Sequence, residues 1–191
     1  WTRVGLQASC RWVAVGHHAD DQAETVLLRL LRGAGTTGLG AMRPVTAGIV
    51  RPLLAVRRSA VEAYAVHRSL EVREDPTNRD VRVPRNRIRH ELLPTLARQH
   101  NPRIVEGLAR TARLLQADDD YLDGVSQEAA RVLLKERRRA CLKLDSKLLG
   151  GYHIAIQRRV LRQYIQELAQ HSSGLDTSLD LGNSGSGMFA A

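Results

Sequence analysis

The sequence predicts an α/β fold, and two adjoining segments carry this prediction. Residues 11–16 form a short apolar run that ends in glycine, which is typical of a strand buried in a parallel sheet. Apolar residues then recur at helical spacing, at Ala23, Val26, Leu27, Leu30, Leu31 and Ala34. Asp20 or Asp21 is the expected N-cap, and the glycines that follow end the helix. A strand, a polar turn and a helix make half of a βαβ unit, and open α/β sheets bind ligands at such turns.

The remaining elements are mostly helical. In chain order the pattern predicts a loop over 33–48, a short strand over 49–54, a helix over 59–70 and a strand over 71–73. Asn101 and Pro102 predict the N-cap and first position of a helix that continues to Leu134. We interpret this long helix as a connector between two domains. A last helix is predicted over 154–168, and the Ser- and Gly-rich tail from 172 to 191 predicts no element.

The charge of the chain favours an anionic partner. The 191 residues include 29 Lys and Arg against 20 Asp and Glu, for a net charge of +9. All of this excess lies before residue 116, because the later residues contain ten basic and ten acidic side chains. With only 4% aromatic residues, structured RNA is a better candidate than a single strand held by base stacking.

The sequence has no sign of export or membrane insertion. Cys10 and Cys141 are too far apart for a metal-binding motif and too few for a disulfide framework, so a reducing cytoplasm is the expected compartment. No apolar run is long enough to span a bilayer, and the first residues lack a signal-peptide pattern. Because the chain starts at Trp1, we expect it to begin inside a longer gene product. The oligomeric state stays open, with a homodimer as one alternative.

The polar turn after the first strand is the strongest candidate site. His17, Asp21 and Glu24 fall within about 60° of one another on a helical projection. Carboxylates in a first helical turn are well placed to hold Mg²⁺ against a phosphate, and a neighbouring histidine can donate to a phosphoryl oxygen. A purely structural role, with the aspartates capping the helix, is equally compatible with the pattern. Zinc is disfavoured because the other histidines show no paired spacing.

Two basic runs differ in their interpretation. Residues 79–90 contain five Arg and one Asp, and we interpret them as an anion-binding segment. On a helix Arg85 and Arg89 share a face, whereas Arg87 points elsewhere and is expected to pair with an acid of the domain. The run from Lys135 to Arg139 is interpreted as the end of a helix, and Cys141 as a small core residue.

Residues 12–102 resemble one known family. The segment from Val13 to Gly35, which contains His-His-Ala-Asp-Asp-Gln-Ala-Glu-Thr, is similar to a signature of bacterial tRNA(Ile)-lysidine synthetases. Three later segments agree with the family in the same order: Arg51-Pro52-Leu53-Leu54, Glu74-Asp75-Pro76-Thr77-Asn78, and the run from Arg85 to Pro94. Residues 157–162 resemble the start of the helical substrate domain in longer members.

This resemblance implies an enzyme with a Rossmann-like PP-loop catalytic domain. In the family, ATP adenylates the C2 carbonyl oxygen of the wobble cytidine in a CAU-anticodon tRNA(Ile), and free L-lysine then displaces AMP. The carried-over roles are ATP and Mg²⁺ handling for His17 and Asp21, with Asp20 and Glu24 beside them. The segment that engages tRNA corresponds to Asn78, Arg85, Asn86 and Arg89.

The resemblance also implies a domain order and one departure. We expect residues 1–100 to be the C-terminal part of the catalytic domain, 101–134 a linker helix, and 135–191 the incomplete start of the tRNA-binding domain. The family's S-G-G-x-D-S nucleotide loop does not occur in this sequence, so the chain alone is expected to be inactive. The alternatives are a non-catalytic RNA-binding module and another PP-loop tRNA-modifying enzyme. A tRNA thiolase is disfavoured because the chain lacks C-x-x-C pairs.

Overall fold

The computed structural model describes residues 10–72, 77, 80–138 and 141–172. The chain divides between Asp120 and Tyr121 into two compact units, which are described separately below. Together they form a mixed α/β structure with a small, partly parallel sheet and long helices.

The first unit contains a three-stranded sheet of order β1-β3-β2. Strand β1 (Val13–Ala14) pairs in parallel with β3 (Ile49–Val50), and Val13 lies opposite Ile49. Strand β2 (Val45–Thr46) pairs antiparallel with β3. The strands predicted over 11–16 and 49–54 are thus both present but shorter, and β3 ends before Pro52, which has no N–H to donate. The loop predicted over 33–48 misses β2 and a short helix.

Helix α1 (Ala19–Leu31) follows β1 directly. The prediction that Asp20 or Asp21 caps this helix is wrong, because the N-cap is His18. The His18 Nδ1 accepts the Asp21 N–H at 3.3 Å, and the Asp21 carboxylate accepts the His18 N–H at 3.0 Å. This reciprocal capping box satisfies two N–H groups at the start of the helix. The predicted apolar stripe is buried only in its first half, since Leu30 and Leu31 are exposed.

Four short elements and the start of a long helix complete the first unit. They are α2 (Thr36–Leu39), α3 (Arg58–His67), α4 (Pro84–Arg87), a π-helical turn (Ile88–Leu92) and α5 (Leu93–Gln99). Pro94 cannot donate to a carbonyl four residues back, which accounts for the widened turn immediately before it. The strand predicted over 71–73 is wrong at residues 71 and 72, and Arg73 lies outside the described residues. The core groups Ala19, Ala23, Leu27, Ile88, Leu93 and Val105.

The predicted long helix is present as α6 (Ile104–Leu133), 30 residues in length. It begins two residues after Pro102, because Asn101 first forms a turn of its own. The Asn101 side chain accepts the Arg103 N–H at 2.9 Å, and the Asn101 carbonyl accepts the Ile104 N–H at 3.0 Å. Helix α6 starts in the first unit and ends in the second.

The second unit joins the end of α6 to a hairpin and two helices. The hairpin is β4 (Leu134–Arg138) with β5 (Cys141–Leu144), followed by α7 (Ser146–Gly150) and α8 (Ile154–Ser172). The predicted helix over 154–168 is therefore confirmed. Its core packs Ala129, Ala130 and Leu133 against Ile156, Val160 and Tyr164. The predicted tail beyond residue 172 lies outside the described residues.

Two predictions in the second unit are wrong. The basic run from Lys135 is not a helix end, because residues 135–138 belong to β4, where cross-strand pairing with β5 outweighs the charge pattern. Glu136 pairs with Lys143 across the hairpin at 2.6 Å. Cys141 is exposed and not a core residue, because it lies opposite Arg138 at the end of the hairpin.

None of the helices in the described part of the chain has the length and apolar character needed to cross a membrane.

Candidate functional site

The candidate site lies where β1 ends and α1 begins. The Val15 N–H donates to the Val50 carbonyl at 3.0 Å, and the Ala19 N–H donates to the Val56 carbonyl at 2.8 Å. These bonds hold the turn between β1 and α1 against the chain that leaves β3. The turn therefore lies at the carboxyl edge of the parallel strand pair, where α/β sheets bind ligands.

Four charged side chains form a cluster beside this turn, here called the ion cluster: Asp21, Glu24, Arg85 and Arg89. Arg85 donates to Glu24 at 2.8 Å and to Asp21 at 2.9 Å. Arg89 donates to Glu24 at 2.5 Å and to Asp21 at 3.0 Å. The Glu24 side chain is only 1% exposed. Two carboxylates and two guanidinium groups balance in charge, which is how a buried carboxylate is retained in a protein interior.

The backbone explains why these four side chains meet. Asp21 and Glu24 are three residues apart on α1, and Arg85 and Arg89 are four residues apart across α4 and the π-helical turn. The hydrogen bond to Glu24 raises the pKa of Arg89, although burial opposes part of this change. The ion cluster thus joins the two most charged segments of the unit through paired, charge-assisted hydrogen bonds.

This arrangement reverses the expectation for the arginines. Arg85 and Arg89 face acids of the domain, whereas Arg87 is exposed and has no ion pair with any described residue. The expectation that Arg87 pairs with an acid is wrong. The helical projection did place Arg85 and Arg89 on one face, but sequence spacing contained no information on the carboxylates opposite them. Their role in binding tRNA stays a prediction.

His17 lies next to the ion cluster. Its Nδ1 is buried and has no hydrogen-bond partner among the described residues. Burial lowers the pKa of His17; Asp21 opposes this change, while Arg51 and Arg85 add to it. The imidazole is therefore neutral near pH 7, with one ring nitrogen able to donate and the other able to accept.

Asp20 lies apart from the ion cluster. It accepts from Arg57 at 3.1 Å and from the Arg58 N–H at 2.8 Å, which ties α1 to the start of α3. Burial alone would raise the pKa of Asp20, but the hydrogen bonds from Arg57 and Arg58 outweigh burial and lower it. Asp20 was predicted beside the nucleotide; its contacts here hold two elements together.

Asn86 is buried, and its amide donates to the carbonyls of Thr77 at 2.9 Å and Asp80 at 3.0 Å. It thereby fixes the chain before α4. Asn78, predicted to engage tRNA, lies outside the described residues.

The ion cluster does not fit the predicted Mg²⁺ site. One oxygen of Asp21 accepts from both arginines, and the other accepts from the His18 backbone. Within the described ranges, no three His, Cys, Asp or Glu side chains come together in a way that would hold a metal ion. We therefore derive no chemical step through a metal at Asp21.

Sequence reasoning missed two arginines at this edge. Arg51 follows β3 directly, and its buried Nε has no partner among the described residues. Arg57 pairs with both Asp20 and Glu106. The position of Arg51 at the carboxyl end of a predicted strand was a usable signal, because ligand-binding side chains concentrate there.

The comparisons with known proteins agree with one another. A family model described as a PP-loop domain matches residues 2–96. The chain is 43% identical over 169 residues to a tRNA(Ile)-lysidine synthase of Solibacter usitatus, covering 88% of this chain and 38% of the relative. It is 48% identical over 166 residues to the synthase of Geobacter sulfurreducens, covering 85% of this chain and 35% of the relative.

A third relative, the synthase of a Nostoc species, is 38% identical over 174 residues, with 83% of this chain and 51% of the relative covered. The chain thus spans between about a third and a half of the length of these relatives. The matches extend beyond the PP-loop region, since they include most of the chain. This chain belongs to the tRNA(Ile)-lysidine synthase family of PP-loop proteins.

Proposed function

We propose that this protein takes part in the ATP-dependent formation of lysidine on a tRNA(Ile) with a CAU anticodon. In this reaction the C2 carbonyl oxygen of the wobble cytidine attacks the α-phosphorus of ATP, and pyrophosphate leaves. The amine of L-lysine then attacks C2, and AMP leaves. The relatives that support the proposal are named as synthases of this product and match 85–88% of this chain at 43–48% identity.

The observation that carries the proposal is the ion cluster. It lies at the carboxyl edge of the parallel strands and joins α1 to the basic segment after residue 80. These are the two segments in which the family resemblance is densest. A rigid, charge-balanced wall at this edge orients a substrate without internal reorganisation, which is the usual protein contribution to phosphoryl and adenylyl transfer.

His17 is the proposed contact to ATP. Its unpartnered Nδ1 and its lowered pKa suit a neutral imidazole that donates one hydrogen bond to a phosphate oxygen. ATP supplies the activated phosphorus. Asp20, Asp21 and Glu24 are proposed to act indirectly, by holding the arginines and the turn, because each already accepts hydrogen bonds from the domain.

The basic segment is proposed to contact tRNA. Arg87 is the exposed member of the segment, while Arg85, Arg89 and Asn86 hold its shape from below. Asn78 is proposed to belong to the same surface. The finer domain assignment is also a proposal: a Rossmann-like PP-loop region over 1–100, a linker helix over 101–134 and a tRNA-binding region over 135–191, in a cytoplasmic enzyme.

Incorporation of labelled L-lysine into a tRNA(Ile) transcript tests this function. The protein expressed from its own gene should transfer lysine to the transcript in an ATP-dependent manner. A matched transcript with uridine at the wobble position should accept none. If the protein binds both transcripts and transfers lysine to neither, it is a non-catalytic RNA-binding module and the proposal is wrong.

A further inference from the structure

A cavity of about 300 Å³ lies within the first unit, separate from the ion cluster. Its wall includes Ala19 and Gln22 of α1, Arg51 and Leu54 after β3, and Ala109 and Arg113 of α6. On α1, Ala19 and Gln22 lie roughly 160° around the helix from Asp21 and Glu24. The cavity and the ion cluster therefore occupy opposite faces of α1.

The cavity has the position and size of a small-molecule site. Ala19 begins α1 and Arg51 directly follows β3, so the cavity opens beside the carboxyl ends of two parallel strands. Ligands of open α/β sheets bind in this crevice. A volume of about 300 Å³ is at the lower end of the range for pockets that enclose small ligands.

The cations of the cavity wall are not equivalent. Arg57 is neutralised, because it pairs with Asp20 and with Glu106. Arg51 donates one guanidinium N–H to the Arg43 carbonyl at 2.9 Å, and its Nε is buried without a partner among the described residues. Arg113 has no ion pair with any residue that the structure describes. Two positive charges thus remain without a carboxylate.

The unpartnered Nε–H of Arg51 calls for an explanation. A buried donor without an acceptor costs about 1–3 kcal/mol, and more when it is charged, so native proteins rarely leave one. An oxyanion is the acceptor that matches a guanidinium, since its oxygens take charge-assisted hydrogen bonds. Met42, Leu54 and Ala109 supply an apolar wall for the rest of such a ligand.

We infer that this cavity binds a small organic oxyanion, a carboxylate or a phosphate on an apolar body, through Arg51 and Arg113. The site goes beyond the proposed lysidine chemistry, because none of its arguments uses the ion cluster or tRNA. Carboxylate and phosphate share the recognition chemistry, and two probes with the same ring distinguish them. These probes are benzoate and phenyl phosphate, with benzyl alcohol as the uncharged control.

The experiment follows the Nε–Hε signal of Arg51 by NMR during titration of the chain with each probe. The loss of this signal in Arg51→Lys assigns it. We expect a saturable shift with benzoate or phenyl phosphate, none with benzyl alcohol, and the tighter probe identifies the natural oxyanion. Arg113→Gln should weaken binding about tenfold, the loss of one charge-assisted contact. Arg110→Gln, an exposed change on the same helix, should leave binding unchanged.

A second variant keeps the test independent of Arg51. Ala109→Phe fills the cavity from α6 and should abolish saturable binding while circular dichroism confirms the fold. The inference is overturned if neither oxyanion saturates the signal with a Kd below about 10 mM, a threshold of roughly 3 kcal/mol. Equal weakening by Arg113→Gln and Arg110→Gln would also overturn it, because binding would then follow net charge alone.

Discussion

At the scale of single residues, Glu24 is the acceptor that holds both arginines of the ion cluster. Glu24→Gln removes one of two negative charges and leaves Arg85 and Arg89 facing Asp21 alone. Because both guanidinium groups are partly exposed and screened by solvent, we expect the free energy of unfolding to fall by about 2 kcal/mol, less than for a fully buried pair.

Urea unfolding measures this change. The matched control is Glu62→Gln, which removes the exposed partner of Arg58 and should change the free energy of unfolding by less than about 0.5 kcal/mol. Equal midpoints for the two variants would show that the ion cluster contributes no more than a surface pair.

His17 provides a pH prediction at the same scale. Burial lowers its pKa below the ordinary value of 6.5, so the folded state favours the neutral imidazole. Its contribution to stability is therefore present above pH 6.5 and is lost as the pH falls through the lowered pKa. Asp21 opposes the shift, so Asp21→Asn should lower the titration midpoint of His17 further.

An NMR titration of the His17 ring signals, assigned by His17→Gln, measures both midpoints. A wild-type midpoint at or above 6.5, or a higher midpoint in Asp21→Asn, would contradict the described surroundings of this side chain.

At the scale of elements, the end of α6 anchors the second unit. Leu133 is fully buried against the core of that unit, whereas its neighbour Val132 is 64% exposed. Leu133→Ala should lower the free energy of unfolding by about 2–5 kcal/mol, because it removes buried methyl groups and leaves a cavity. Val132→Ala, the control on the same helical turn, should cost less than about 1 kcal/mol. Similar urea midpoints for the two would show that the core lies elsewhere.

The elements also show what the sequence can predict. Helical spacing located α1, α3, α6 and α8, because long amphipathic segments have a strong periodic signal. The hairpin β4–β5 was missed, since its run of Lys and Arg resembles a helix end and its stability depends on cross-strand pairs that no local pattern shows.

The site was predictable to a similar extent. The turn with His17, Asp21 and Glu24 was found from its place between a strand and a helix. The partners of the two acids were not, because Arg85 and Arg89 are more than 60 residues away in the chain. A basic run and an acidic turn were each interpreted as ligand-binding, whereas the fold pairs one with the other.

At the scale of the whole molecule, tRNA affinity should depend on salt through Arg87 more than through its neighbours. Arg87→Gln removes an exposed cation without an ion pair among the described residues and should flatten the salt dependence by about 0.7–0.9 per phosphate contact. Arg82→Gln is the matched control, because Arg82 already pairs with Asp80. Filter binding at several salt concentrations measures both slopes. Equal slopes for wild type and Arg87→Gln would place the phosphate contacts elsewhere.

The central claim is that the ion cluster supports adenylation of tRNA before lysine enters. Pyrophosphate release by the protein expressed from its own gene, with ATP and tRNA(Ile) but no lysine, tests this claim most directly. We predict tRNA-dependent release of about one pyrophosphate per tRNA, reduced about tenfold or more in Asp21→Asn and unchanged in Glu62→Gln, because only the former disturbs the aligned wall of the site. Release that needs lysine, or a wild-type rate in Asp21→Asn with the fold intact, would contradict it.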